Sequence, residues 1–334
     1  MRKTLALFSL AALLALPGRA SAQNIDIKLG TLAPKGSTWE TLMKEMGQKW
    51  KEASGGKVNL RIYPGGVLGN EGDMVRKMRV GQLQASALTT VGLHDITPEP
   101  LAVTAPMVVQ SYDELDYVME KMMPSLEKKL EEKGYVVLAW SEVGFVYFFS
   151  ALQFHTPDEA KKAKIFTWEG DPGSVEAWKA TGLNAVVLSA TDIVPSLQTG
   201  MIDTVATSPL YALTARLYDK ANKMLDLPWA MLNGATVVKK ETWDAVPADL
   251  RPKLLEISRS YGRRLALEVR KLNDDALKQL KAKGVQTVPA GDLAAWKKAA
   301  DSANTVVRGK VVPAPVFDEV MKHHNEFRLR GKKQ

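Results

Sequence analysis

The stretch "DIKLGTLAPKGSTWETLMKEMGQKWKEASGGKVNLRIY" (residues 26–63) holds a complete strand–helix–strand unit. Asp26 to Ala33 read as a strand running into a loop. Ser37 or Thr38 caps the helix that follows, and Gly55-Gly56 stops it. "KVNLRIY" then alternates apolar and polar residues, as a half-buried strand does. Downstream, the Gly-rich turn "PGGVLGNEG" leads into the helix "DMVRKMRVGQL" and the strand "ASALTT". Strands separated by helices cannot be joined by tight hairpins. The order therefore predicts an α/β domain with a largely parallel sheet.

The alternation resumes with "YVVLAWSE" (135–142), "FVYFFSAL" (145–152) and "AKIFTW" (163–168). A turn through Gly170, Asp171 and Pro172 opens a helix capped near Ser174, followed by the strands "NAVVLS" and "DTVATS". This is a second α/β unit. Beyond it, Leu254, Ile257, Tyr261, Leu265, Val269, Leu272, Ala276 and Leu280 keep helical steps with no proline from 253 to 288. At 1.5 Å per residue that helix is about 45 Å long, more than one small domain needs, so it is expected to brace two. The chain divides into a leader (1–22), lobe I (23–145, with part of 230–280 returning to it) and lobe II (146–229). The long connecting helix (250–283) and a helical C-terminal segment (284–334) follow. There are no internal repeats and no low-complexity linker, so the lobes are joined by several crossings.

The leader reads as a signal peptide. Arg2 and Lys3 precede an apolar run from Leu5 to Leu16, too short to span a membrane, and Ala20, Ser21 and Ala22 form a small-residue cleavage site. An exported, soluble chain beginning at Gln23 follows. The absence of cysteine rules out disulfides, thiolate metal sites and lipid attachment through cysteine. Losing Arg2, Lys3 and Arg19 leaves 42 basic against 37 acidic residues, a net charge of +5. The basic tail "FRLRGKKQ" reads as a solvated end, and nucleic acid is not an expected partner.

No G-x-S-x-G elbow, P-loop or G-x-G-x-x-G turn is present, and His94, His155, His323 and His324 are too scattered for a metal centre. His323 and His324 read as surface residues, and Asp274-Asp275 as a solvated pair. No catalytic residue, metal or cofactor is expected. Aromatic placement carries more information. Trp39 follows the first strand, Trp140 and Phe145 sit at a strand end, Phe166 and Trp168 end another strand, and Tyr211 and Trp229 follow "ATSPL" and "LDLP". Open parallel sheets bind ligands beyond the carboxyl ends of their strands, so these rings are expected to converge on one crevice. Phe148, Phe149, Trp178 and Trp243 read as core. Thr89 and Thr90 end a strand and offer hydroxyls. Glu142 either meets a ligand donor or pairs with a lysine, and Asn233 is expected to bond across the hinge.

The segments "KLGTLAPKGS", "YPGGVLGNEGDMVRKMRVGQLQAS", "WSEVGF", "HTPDEAKKAKI" and "SLQTGMIDTVATSPL", in this order, resemble the solute-binding protein of a tripartite ATP-independent periplasmic (TRAP) transporter. The resemblance covers essentially the whole mature chain. It implies a two-lobed periplasmic binding protein fold with a hinge and a long connecting helix, closing on a small organic ligand in the periplasm. Membrane-embedded transporter subunits are then the partners. It also places Thr207 and Ser208 where the family offers a polar side chain to the ligand. A monomer is expected, with a dimer through Tyr261 and the polar face of the long helix as the alternative.

The departures bear on the ligand. The arginine with which the family grips a carboxylate aligns with Phe166, a second basic position with Val146, and an aromatic position with Ala190. A charge-assisted hydrogen bond contributes about 1.5–3 kcal/mol, and a buried, unpaired carboxylate is strongly disfavoured. Burying an aromatic ring of about 150–250 Å² offers about 4–6 kcal/mol before ordering losses. A neutral, aromatic or hydrophobic ligand is therefore expected. The alternatives are a small carboxylate held by Lys35 or by the helix starts near Ser37 and Ser174, a carrier of lipid-like molecules, and an exported enzyme.

Overall fold

A computed structural model of the chain describes residues 24–169 and 172–331. The expected signal peptide and its cleavage after Ala22 lie outside the described residues, as do the turn residues Gly170 and Asp171 and the last three of the basic tail. Nothing of the Ser174 side chain is described either.

Strands β1 (Ile25–Thr31), β2 (Val58–Tyr63) and β3 (Ala85–Thr89) are parallel, in the order β2-β1-β3, with the helix Thr38–Ala53 crossing between the first two. That helix starts where Ser37 Oγ accepts the Glu40 N–H, and it ends before Gly55 and Gly56, whose φ of 59° and 80° suits glycine. The second lobe repeats the scheme. Its strands β5 (Ile165–Trp168), β6 (Ala185–Leu188) and β7 (Thr204–Thr207) are parallel.

Two long strands tie the lobes together. "YVVLAWSE" and "FVYFFSAL", expected as separate strands, form one strand β4 (Tyr135–Ser150) of 16 residues, roughly 50 Å at the usual rise. Its first part pairs antiparallel with β9 (Ala230–Lys239), and its last four residues with β7 and with β8 (Lys223–Asp226). The expected boundary between residues 145 and 146 falls inside this strand. The full order is β2-β1-β3-β9-β4-β7-β5-β6, with β8 beside β4 and β10 (Gln286–Pro289) beside β8. The sheet is thus parallel on its flanks and antiparallel at its centre, where the expectation of a largely parallel sheet fails. The reason is that β4 and β9 run between the lobes instead of being closed off by a helical crossover.

The long helix spans Arg251–Ala282. Trp50 Nε1 donates to Leu254 O at 3.0 Å and to Ser258 Oγ at 3.1 Å, fastening the helix to the first lobe. Three turns or more further on, Asn273 Oδ1 accepts the Leu210 N–H at 3.0 Å in the second lobe, and Asn273 Nδ2 donates to Val143 O at 3.0 Å. The helix therefore braces both lobes. Tyr261 is buried and its hydroxyl donates to Trp39 O, so it does not lie on the helix's solvent face. His324, expected on the surface, is also buried, with Nδ1 2.7 Å from the Glu114 carboxylate.

Candidate ligand-binding cavity

A cavity of about 380 Å³ opens between the lobes. The ends of β1, β3, β5 and β7 meet there at Thr31, Thr89, Trp168 and Thr207, as expected for a parallel sheet. Alternation along β5 turns Phe166 and Trp168 to the same side, where both line the cavity with ring centroids 5.4 Å apart and planes at 64°. Trp39 forms the facing wall. Its Nε1 donates to Glu142 O at 3.1 Å, which locks the indole against the hinge strand. Tyr211, Ile193, Val194 and Val205 complete the second lobe's side, and Tyr261 and Leu265 reach in from the long helix. Burial pushes the phenols of Tyr211 and Tyr261 up, so both stay protonated donors.

The lobes touch across the mouth. Asn70 Nδ2 donates to Glu169 Oε2 at 3.4 Å, and a Cβ on Gly66 would stand 3.0 Å from Thr191 Cγ2. This is a closed arrangement.

Two acidic residues border the cavity, Glu142 with its backbone carbonyl turned to Trp39 and its side chain on the face of β4 that looks to the helix Tyr112–Glu132. Glu71 is fully enclosed: Oε1 accepts the Thr89 N–H at 2.6 Å and Oε2 the Thr89 hydroxyl at 2.7 Å. Burial nevertheless pushes this carboxyl up to about 7. Only glycine fits at position 92, because a Cβ there would lie 2.7 Å from Glu71 Cβ. Glu142 is held by an arginine rather than a lysine. Arg270 Nε donates to Oε2 at 2.9 Å and Nη2 to Oε1 at 2.6 Å, while Nη1 donates to Asp116 Oδ2 at 2.8 Å. The Arg270 guanidinium also lies 4.6 Å from the centre of the Tyr112 ring. Among the described residues, no lysine, arginine or histidine lines the cavity.

Of the residues expected to meet the ligand, Trp39, Thr89, Glu142, Phe166, Trp168, Thr207 and Tyr211 line this cavity. The others lie elsewhere. Lys35 is exposed in the loop after β1. Thr90 is fully buried, and Ser208 is spent as a cap, its Oγ accepting the Tyr211 N–H at 3.3 Å. Trp140 donates to Glu127 Oε1 at 3.2 Å and packs in the core beneath the helix Tyr112–Glu132, where Phe145 meets Tyr112 at 5.0 Å. Trp229 is core, stacked on Trp178 at 6.0 Å and packed against Phe148 and Trp296. Asn233 is buried, with Nδ2 facing Met119 Sδ rather than a partner across the hinge. Glu71, Tyr261, Leu265, Thr191 and Thr236 were not anticipated as lining residues. For Glu71 a signal exists: a carboxylate directly after the Asn70 cap, at the start of a helix that follows a Gly-rich turn.

Residues 29–306 match the family model described as bacterial extracellular solute-binding protein, family 7. The chain is 26% identical over 300 residues to the C4-dicarboxylate-binding periplasmic protein DctP of Rhodobacter capsulatus, covering 85% of this chain and 87% of that one. It is 23% identical over 262 residues to the 2,3-diketo-L-gulonate-binding periplasmic protein YiaO of Escherichia coli K12, covering 77% and 78%. Among solved structures, a TRAP periplasmic solute-binding protein from Xanthobacter autotrophicus with bound β-D-galacturonate superposes with a TM-score of 0.83 at 16% identity, covering 90% of this chain and 99% of that one. Closed lobes around a strand-end cavity, a bracing helix and a match over most of the length agree: the chain belongs to family 7 of the bacterial extracellular solute-binding proteins, the solute-binding proteins of TRAP transporters.

Proposed function

We propose that this chain is the solute-binding subunit of a TRAP transporter whose ligand is small, uncharged and largely apolar, with an aromatic or comparably hydrophobic body. One observation carries the reading: Phe166 stands where the family resemblance places the carboxylate-gripping arginine, and no other cation lines the cavity among the described residues. Related structures hold acids, among them β-D-galacturonate and D-erythronate. A carboxylate in this cavity would meet no counter-charge among the described lining residues. Of the substitutes for the arginine, Lys35 is exposed and off the lining. Trp39, Phe166, Trp168, Tyr211 and Tyr261 instead offer apolar faces, with hydroxyls from Thr31, Ser141 and Thr207 as polar anchors. A volume of about 380 Å³ suits a compact molecule better than an extended lipid chain.

The mature protein acts in the periplasm after cleavage behind Ala22, as a monomer, without turnover, closing on the ligand by hinge motion and presenting it to the membrane subunits. Calorimetry with two size-matched probes tests the ligand class. The wild type should bind 2-phenylethanol more tightly than phenylacetate, and Phe166→Arg should invert that order by at least tenfold. A wild type that prefers phenylacetate overturns the proposal.

A further inference from the structure

We infer that the Tyr211 hydroxyl is the specificity-determining donor of the cavity, and that the ligand it selects carries a neutral hydrogen-bond acceptor, a carbonyl oxygen, on its apolar body. This rests on the reading of the ligand as uncharged and adds which polar group that ligand bears. Several side-chain donors on the wall are already committed. Trp39 Nε1 donates to Glu142 O, the Tyr261 hydroxyl to Trp39 O, the Thr89 hydroxyl to Glu71 and the Thr214 hydroxyl to Leu210 O. Tyr211 differs. Its backbone N–H is engaged with Ser208 Oγ, and its hydroxyl bonds no other described residue. Burial alone pushes the phenol up, so the hydroxyl is not on the outer surface, yet its oxygen keeps some accessible area. The space it opens on is the cavity that Tyr211 lines. The hydroxyls of Ser141 and Thr207 on the same wall are the weaker donors, because an alcohol is less acidic than a phenol. The phenol is also held in place. The Leu210 N–H donates to Asn273 Oδ1 at 3.0 Å on the long helix, and Asn273 Nδ2 donates to Val143 O at 3.0 Å on the hinge strand, so the start of the short helix Pro209–Thr214 is fixed to both. A donor placed in this way loses little freedom when a ligand arrives. A ligand without an acceptor would displace water from the hydroxyl and leave it unpaired in an apolar site, which disfavours that ligand.

The test compares acetophenone with α-methylstyrene, in which a CH2 group replaces the carbonyl oxygen at nearly unchanged shape, by calorimetry on the full mature chain. Tyr211→Phe should weaken acetophenone binding about fivefold or more and leave α-methylstyrene within about twofold of the wild type. Tyr211→Met lacks the hydroxyl as well, and it carries the same ratio test if Tyr211→Phe fails to fold. The infrared carbonyl stretch of bound acetophenone supplies a readout that a merely structural role would not move. It should lie at lower wavenumber in the wild type than in either variant, as a hydrogen-bonded carbonyl does. An acetophenone-to-α-methylstyrene ratio unchanged by both substitutions, a carbonyl stretch that is the same in wild type and variants, or no binding of either probe to the wild type overturns the inference. Adding phenylacetate separates the two failures. If the wild type binds it more tightly than acetophenone, the uncharged-ligand reading falls, while the acetophenone-to-α-methylstyrene ratio still reports on Tyr211.

Discussion

Phe166 and Trp168 are separated by one residue on a strand of period two, so once one faces the cavity the other must. That much is legible in "KIFTW". Position relative to a strand end is a weaker guide, because it does not say which side of the strand a ring occupies. Trp140 lies on β4 and Trp229 directly before β9, yet both pack into cores away from the cavity, since these strands are covered on both sides and carry apolar residues on both. Glu71 was invisible as a lining residue for another reason. A helix-start carboxylate is ordinarily solvated, and here the second lobe and Gly92 close over it. Its raised titration point has a thermodynamic sign. The folded protein binds this proton more tightly than the unfolded chain, so the contribution is complete below about 4.5 and is lost as pH rises through about 7. Over that window wild type should lose about 3 kcal/mol that Glu71→Gln does not lose. Urea unfolding at pH 5 and pH 8 measures the difference, and equal pH responses in the two proteins would contradict it.

At the scale of elements, the long helix was readable because its apolar steps persist without proline, and its observed span of Arg251–Ala282 lies inside the expected 250–283. The single strand β4 was not, because "VGF" at its middle resembles a break. Gly144 is instead part of an irregularity in which the register with β9 shifts between Glu142 and Gly144. Its φ is 122°, and a Cβ there would lie 2.4 Å from Asn273 Nδ2, the group that ties the long helix to Val143 O. Gly144→Ala therefore combines backbone strain with a clash and should destabilise by about 3 kcal/mol in urea unfolding. Gly134→Ala is the control. Its φ of 85° also favours glycine, but nothing lies within 4 Å of the added Cβ, so about 1 kcal/mol is expected. Equal losses in the two variants would show that the Asn273 contact at the β4 irregularity adds nothing.

The whole molecule is a pair of lobes strung on β4 and β9 and clasped by one helix. From the sequence, two α/β units and a brace could be read through alternation and helix length alone. The antiparallel centre of the sheet could not, since strand direction depends on which strands become neighbours rather than on any local pattern. Nor could the single arginine that neutralises Glu142, because residues 142 and 270 meet only once the helix lies along the hinge. The proposed ligand carries no net charge, and the ligand the protein carries from its own cell is the most direct witness. Purified mature protein should be denatured and its released small molecules identified by mass spectrometry, with native spectra for stoichiometry. An uncharged aromatic or hydrophobic compound at one per chain is the predicted result. A simple organic acid at that stoichiometry would contradict the account.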